Sequence, residues 1–209
     1  DEIGDLSGEV RGRLVMGTSH HIGLHRLPGP LKRFTEAFPG VELDIRFMDS
    51  EAACRAVETG DLELAIVTLP PDQPPNLQLE TIWQDPLAFM VGRDHPLAGR
   101  ARIGLDELLT HPAVLPGGST YTRGILEQAL RTSGARLHVA MATNYLETLY
   151  MLVATGLGWS LLPAVLLKDD VVALRVDGLQ LTRHLGVVTH HRRSLSNAAI
   201  EMIRACKAG

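Results

Sequence analysis

Residues 41–67 read VELDIRFMDSEAACRAVETGDLELAIV, and this stretch decides the fold class. In residues 41–47 apolar and polar side chains alternate, which predicts a strand with one buried face. Ser50 is a plausible N-cap, Glu51 suits the first turn of a helix, and Gly60 is a plausible stop. The apolar run 64–67 predicts a short parallel strand that is covered on both faces. The stretch therefore predicts a strand–helix–strand unit.

The same alternation continues on both sides of this unit. Before it, Arg13–Met16 predicts a strand, and a helix pattern then runs up to Pro39-Gly40. After it, the segment from Pro70 to Pro75 contains four prolines and predicts a loop. A second series of strands and helices begins with residues 83–91. Strands that alternate with helices favour parallel sheets, so we expect an α/β protein of two lobes, with the last strand and helix returning to the first lobe.

Composition restricts the classes of function. The 209 residues are 45% hydrophobic and carry a formal net charge of −4, with one dense basic run at residues 190–193. A domain that bound DNA by itself would be expected to have a basic face, so we do not expect this polypeptide to read nucleic acid. A mean hydropathy of +0.07 and the acidic first residues predict neither a membrane span nor a signal peptide. We therefore expect a cytoplasmic location, with Cys54 and Cys206 as inert buried thiols.

Motifs of common enzyme classes are missing from the sequence. The serine-hydrolase Gly-x-Ser-x-Gly, the phosphate-binding Gly-x-x-x-x-Gly-Lys-Ser/Thr, the zinc-binding His-Glu-x-x-His and the dinucleotide-binding Gly-x-Gly-x-x-Gly do not occur. His21 and His25 are spaced to share a helical face, which would suit a metal, and His20 adds a third imidazole, but no carboxylate or cysteine lies near them in sequence. We favour solvated histidines, and we expect no metal, no cofactor and no catalytic residue.

Polar residues occur where predicted strands end and helices begin. These positions are Thr18-Ser19-His20, Ser50, Ser119-Thr120 and Asn144. In open α/β sheets, ligands collect beyond the carboxyl ends of strands, near the N–H groups and positive dipole ends of helices. Hydroxyl and amide donors there suit a small anion such as a carboxylate, and Arg123 could pair with its charge. The alternatives are that these residues only cap helices, as Asn144 with Glu147 resembles a capping box, and that Arg123 forms an outward ion pair.

Four stretches, spread over nearly the whole chain, match the order and spacing of a known family pattern. They are Leu27-Pro28…Leu31…Phe34…Phe38-Pro39-Gly40-Val41-Glu42-Leu43, the run GDLELAIV at 60–67, His95-Pro96-Leu97-Ala98, and LVATGLGWSLLP at 152–163. In this register they resemble the effector-binding domain of LysR-type bacterial transcription regulators.

The resemblance implies a fold similar to type 2 periplasmic binding proteins: two Rossmann-like lobes joined by two crossovers, with an effector bound between them. It places the crossovers near Leu79–Trp83 and Leu179–His184. Lobe I would be 10–82 and 182–209, lobe II would be 83–181, and residues 1–9 would be the end of a linker. An N-terminal winged helix-turn-helix that binds DNA would precede this chain, and the whole regulator would form dimers or tetramers.

The resemblance also implies a set of effector contacts. They are Thr18, Ser19, His20, Ser50, Thr68, Ser119, Thr120, Arg123 and Asn144. His20-His21 is bulkier than the small polar residues often found at that loop in the family, which leaves open a compact anion or a larger ligand. We expect that Thr18→Ala or Ser119→Ala weakens effector binding while the melting temperature of the free domain stays nearly unchanged.

Two other classes of function remain as alternatives. A solute-binding protein of a transporter would use the same fold but would be exported, so a signal peptide upstream of Asp1 would favour it, whereas a helix-turn-helix there would favour regulation. An enzyme on this scaffold would need a titratable pair in the cleft whose pKa values are pushed apart, and the sequence offers few carboxylates for that role.

Overall fold

The computed structural model describes residues 10–209, so the predicted linker end at residues 1–9 lies outside the described residues. The chain divides into two units, each with its own core. Unit 1 takes the chain up to Trp83 and again from His184 to Gly209, and unit 2 is Gln84–Arg183. Two long strands, β4 (Leu77–Gly92) and β9 (Thr182–His190), carry the chain across the two boundaries.

Strands and helices alternate in both units. Besides its parts of β4 and β9, unit 1 contains β1 (Gly12–Thr18), α1 (His20–His25), α2 (Pro28–Ala37), β2 (Val41–Phe47), α3 (Ser50–Thr59), β3 (Leu64–Thr68) and α7 (Asn197–Lys207). Unit 2 contains α4 (Leu105–Leu108), β5 (Ala113–Leu115), α5 (Tyr121–Leu130), β6 (Val139–Ala142), α6 (Leu146–Ala154), β7 (Ser160–Pro163) and β8 (Val171–Leu174), with short 3-10 turns at Arg131–Ser133 and Ala164–Leu166.

The strand–helix–strand unit predicted from residues 41–67 is confirmed. In unit 1 the strand order is β2-β1-β3-β9-β4, and β1 pairs in parallel with both β2 and β3. The expectation of purely parallel pairing is wrong at β9, which runs antiparallel to β3 because it brings the chain back from unit 2. Leu14, Met16, Leu64 and Ile66 are fully buried beneath α1, α2 and α7.

The helix pattern between Arg13–Met16 and Pro39 forms two helices. Pro28 occupies the first position of α2 after a break at Leu27. Proline has no N–H to donate and its ring clashes with the preceding turn, so it begins a helix well but cannot continue one. The break makes α1 a separate short helix directly after β1.

In unit 2, β4 pairs antiparallel with both β7 and β8, whereas β5 and β6 pair in parallel. The alternation of β4 sends Phe89 to a core cluster around Trp159 and sends Met90 to a second cluster against α6. The second series begins earlier than predicted, because β4 starts at Leu77 rather than at Trp83. Among the described residues, no helix combines the length and apolar character needed to cross a membrane.

Candidate functional site

The three parallel strands of unit 1 end at a common edge, where five of the predicted contact residues lie. β1 ends at Thr18, in register with Phe47 of β2 and Ile66 of β3. Thr18 is fully buried, and its hydroxyl donates a hydrogen bond of 2.7 Å to the Ile66 carbonyl. A buried hydrogen bond contributes about 1 kcal/mol to stability. The expectation that Thr18→Ala leaves the melting temperature unchanged therefore conflicts with this geometry.

Ser19 and His20 follow at the start of α1. The Ser19 hydroxyl oxygen caps the helix by accepting from the Ile22 N–H at 3.3 Å, so its own O–H can still donate to a ligand. His20 is the first residue of α1 and is exposed. Of the residues predicted in unit 1, these two have the side chains best placed to meet a solute.

Ser50 and Thr68 are brought together inside unit 1. Ser50 is buried, and its hydroxyl oxygen accepts from the Thr68 N–H at 3.1 Å. Its predicted role as N-cap is wrong: Asp49 occupies that position, and Ser50 is the first residue of α3. The Ser50 hydroxyl instead satisfies the last N–H of β3, a buried group that would be costly to leave unpaired. Thr68 is itself buried.

In unit 2, four predicted residues meet at the turn before α5, residues 116–120, which we call the α5 turn; three of them are joined to it by hydrogen bonds. The Asn144 Oδ1 atom accepts from the Gly117 N–H at 3.0 Å. The Thr120 hydroxyl donates to the Gly117 carbonyl at 2.8 Å and accepts from the Arg123 N–H at 3.1 Å. The Arg123 guanidinium donates to the Pro116 carbonyl at 3.0 Å.

Two expectations about the α5 turn change with this geometry. Asn144 does not open α6, because its side-chain oxygen is used by Gly117 and Tyr145 occupies the N-cap position. Arg123 also forms the outward ion pair left open as an alternative, with its Nε 3.0 Å from the Glu127 carboxylate. The N-cap role of Thr120 is confirmed.

Ser119 is exposed and carries the only exposed side-chain hydroxyl of the α5 turn. It follows Gly118, where an added Cβ would meet nothing within 4 Å. The backbone here is open to solvent immediately before a ten-residue helix whose positive dipole end points toward it. The turn thus combines an exposed hydroxyl, the helix N-terminus and a guanidinium.

His21 and His25 share a face of α1, as their spacing predicts, with ring centroids 4.4 Å apart. His21 is buried and His25 is exposed. The solvated-histidine interpretation fits His20 and His25 and is wrong for the buried His21.

Sequence reasoning missed two features near these residues. Phe47, at the end of β2, is 60% exposed, and an added Cβ on Gly23 of α1 would lie 2.7 Å from its ring. In unit 2, Arg183 forms a buried ion pair with Asp85 and donates to Thr122 in the first turn of α5. The exposed phenylalanine had no signal, because Phe47 shares the apolar face of the alternating strand with Leu43 and Ile45 and was expected to be buried. The ion pair joins residues 98 positions apart and had none.

Known proteins are similar to this chain in both sequence and fold. The family model described as LysR substrate binding domain matches residues 7–209. The uncharacterized HTH-type transcriptional regulator YfeR of Shigella flexneri is 25% identical over 202 residues, which cover 95% of this chain and 65% of that protein. This chain therefore spans about two thirds of that relative's length.

Solved structures agree with the family model. The C-terminal domain of a probable LysR family transcriptional regulator from Rhodococcus sp. RHA1 superposes with a TM-score of 0.81 at 27% identity, over 94% of this chain and 99% of that one. The regulatory domain of CcmR from Synechocystis PCC6803, in complex with 2-PG, has the same fold, with a TM-score of 0.83 at 21% identity over 95% of this chain and 97% of that one. The architecture is that of the type 2 periplasmic-binding-protein-like domains predicted from the sequence. The chain belongs to the LysR substrate-binding domain family.

Proposed function

We propose that this chain is the effector-sensing part of a transcription regulator and that its effector is a small anion held in part by the α5 turn. The observation that carries the proposal is the convergence of Ser119, Thr120 and Arg123 at the N-terminus of α5. A carboxylate there would meet the positive end of a helix dipole and a charged donor. Ser19 and His20, at the start of α1, are the contacts proposed in unit 1.

The proposal extends to the whole regulator. DNA would be bound by an N-terminal winged helix-turn-helix outside this chain, and the protein would act as a dimer or tetramer in the cytoplasm. The two lobes would be 10–82 with 182–209, and 83–181. The chain would perform no catalysis. An effector changes such a protein only through its difference in affinity for two conformations, a coupling of about 1–3 kcal/mol in most systems.

Binding is tested by a thermal-shift screen of metabolite carboxylates, followed by calorimetry on each compound that raises the melting temperature. Loss of a charge-assisted hydrogen bond costs about 1.5–3 kcal/mol, so we expect Arg123→Gln to weaken binding by roughly 10–100-fold. Ser119→Ala should weaken it less, with the melting temperature of the free protein unchanged because the side chain is exposed. Thr110→Ala, another exposed hydroxyl in unit 2, is the matched control and should bind normally.

A substitution at Glu127 tests the same assignment, with a change of binding affinity expected in the opposite direction. Because its carboxylate is paired with Arg123, it competes with an anionic ligand for the guanidinium. Glu127→Gln should therefore tighten binding, whereas a cationic or neutral ligand would gain nothing. Unaltered affinity in S119A and R123Q, or equal affinity of E127Q and the parent, would refute the assignment of the α5 turn.

The transporter alternative predicts a different full-length protein. A solute-binding protein carries a signal peptide upstream of Asp1, whereas a regulator carries a helix-turn-helix. The match to an HTH-type regulator that is longer than this chain supports the second. Footprinting of the full-length protein on DNA upstream of its own gene would test it, with loss of protection on deletion of the N-terminal domain as the expected result.

A further inference from the structure

A buried ion pair joins the two crossover strands at the edge of unit 2. Asp85 of β4 and Arg183 of β9 are 1% and 3% exposed. The Asp85 Oδ2 atom accepts from Arg183 Nη2 at 2.6 Å and from Nε at 3.0 Å. Asp85 is the second residue of unit 2 and Arg183 is its last. Burying such a pair is a poor way to gain stability, because desolvation offsets most of the attraction.

The same guanidinium also reaches α5. Arg183 Nη1 donates to the Thr122 hydroxyl at 3.3 Å, and Thr122 is buried. Thr122 is the second residue of α5, between the Thr120 cap and Arg123. A guanidinium is planar and holds its charge at all relevant pH values, so its orientation on one side fixes its orientation on the other. The first helical turn of α5 and both crossover strands therefore contact one rigid side-chain group.

Unit 1 contains a comparable contact on the other candidate helix. Arg26 is the C-cap of α1, the helix that begins after Ser19. Its guanidinium carbon lies 5.8 Å from the ring centroid of Trp83, the last residue of unit 1 on β4. Each helix that carries proposed ligand contacts thus has an arginine between it and a crossover strand.

We propose that Arg183 is a positioning residue that couples the α5 turn to the crossover strands. A ligand held by Ser119 and Arg123 shifts the first turn of α5, and Thr122 moves with it. The Arg183 guanidinium then carries the shift to Asp85 on the neighbouring crossover strand. Of these contacts, the 3.3 Å hydrogen bond between Arg183 and Thr122 is the weakest, and it is the contact that changes. The inference rests on the proposed function for its ligand, but the coupling itself can be tested without one.

The test uses nitrogen-15 NMR of the full chain. A buried arginine gives a slowly exchanging Nε–H resonance, so Arg183 reports on its own surroundings. Thr122→Val removes the acceptor and keeps the side-chain shape, and it should shift the Arg183 resonance. The indole Nε1–H of the buried Trp159, which donates to the His111 carbonyl at 3.0 Å, is the internal reference and should stay in place. Thr122→Ser keeps the hydroxyl and should restore the parent resonance.

Amide exchange distinguishes positioning from general support. The Arg123 and Gly124 N–H groups bond to Thr120, and loss of one hydrogen bond predicts about tenfold faster exchange at these two sites in T122V. A purely structural role would instead speed exchange throughout unit 2. Thr110→Val, the same change on an exposed threonine, controls for the substitution and should alter neither readout.

A second variant approaches the coupling from the ligand side. Thr120→Ala removes the cap without touching Thr122 or Arg183, and it should also shift the Arg183 resonance. An Arg183 resonance unmoved in both T122V and T120A, or uniform acceleration across unit 2, would overturn the coupling. That result would leave the calorimetric test of the α5 turn unaffected, so failure of the coupling and failure of the proposed function can be told apart.

Discussion

Gly186 of β9 lies so close to Glu80 of β4 that an added Cβ would sit 1.9 Å from the Glu80 carbonyl oxygen. The obstructing atom is backbone, so no side-chain rotation can relieve the overlap, and the strands themselves would have to separate. Gly186 faces this carbonyl within unit 1, next to the β3–β9 pairing at Val67. Glycine is therefore required here because the backbones of β4 and β9 approach each other closely. Its φ is not the reason, since any residue could adopt it.

Gly186→Ala should lower the free energy of unfolding by about 3 kcal/mol, the upper range for overpacking a well-packed site. Urea unfolding, monitored by circular dichroism, measures this change in the free energy of unfolding. Gly124→Ala is the matched control: it lies inside α5, where an added Cβ meets nothing within 4 Å. Because alanine is the better helix former, G124A should gain up to about 1 kcal/mol. Equal unfolding midpoints for G186A and the parent would contradict the predicted overlap.

Two buried serines of this protein should respond to alanine in opposite directions. Ser160 of β7 is fully buried, and its hydroxyl has no hydrogen-bond partner among the described residues. Ser160→Ala removes an unsatisfied polar group and should raise stability by about 1 kcal/mol, or roughly 2–4 °C in melting temperature for a protein of this size. Ser50→Ala leaves the Thr68 N–H without its acceptor and should lower stability by about 1–3 kcal/mol.

Differential scanning calorimetry of both variants checks this pair. The opposite signs matter more than the sizes, because both substitutions remove the same atom from a buried position. A loss of stability in S160A equal to that in S50A would show that the Ser160 hydroxyl has a partner.

The elements that the sequence predicted well are those set by local periodicity. The alternation of residues 41–47 and the apolar run 64–67 correspond to β2 and β3 within one residue. The helix break at Leu27-Pro28 follows from proline chemistry that the apolar spacing alone conceals. Local pattern predicts type and position of an element, but not which strand it pairs with.

The candidate site was predictable in part for the same reason. Thr120 caps α5, because that role needs only its own helix. Ser50 and Asn144 were expected to cap helices, but each bonds to a backbone group that is distant in sequence, at Thr68 and Gly117. A helix cap and a long-range hydrogen bond to the backbone use the same residue types, and the tertiary fold determines which of the two a given side chain forms. The Asp85–Arg183 pair belongs wholly to the long-range kind.

The Cys206 thiol should be chemically silent in the native protein. It is fully buried in α7, and this burial raises the pKa of Cys206 to about 12, against a smaller lowering by Arg33. Because the thiolate is the reactive form, iodoacetamide at pH 8 should leave Cys206 unmodified in the native state and alkylate it rapidly in urea. Peptide mass spectrometry after timed quenching checks this. Fast native-state modification at Cys206 would contradict the burial.

His95 should make unit 2 sensitive to mild acid. Its ring is half-buried, and its centroid lies 4.9 Å from that of His111. Burial, and next the charge of His111, lower the pKa of His95 below its usual 6.5. The unfolded chain therefore binds a proton at a higher pH than the folded chain does. The contribution of His95 to stability is present above pH 6.5 and is lost as the pH falls through the folded-state value.

His95→Asn separates the titration from the structural role of the ring. The His95 Nδ1 atom accepts from the Leu97 N–H at 3.1 Å, and an asparagine oxygen can accept the same bond without taking up a proton. Urea midpoints measured between pH 5 and 8 should fall less steeply toward acid for H95N than for the parent. His190→Asn is the control: His190 accepts an equivalent bond from the Arg192 N–H in unit 1, so it reports on the loss of a histidine as such. An H95N profile parallel to the parent profile would exclude His95 as the acid-sensitive group.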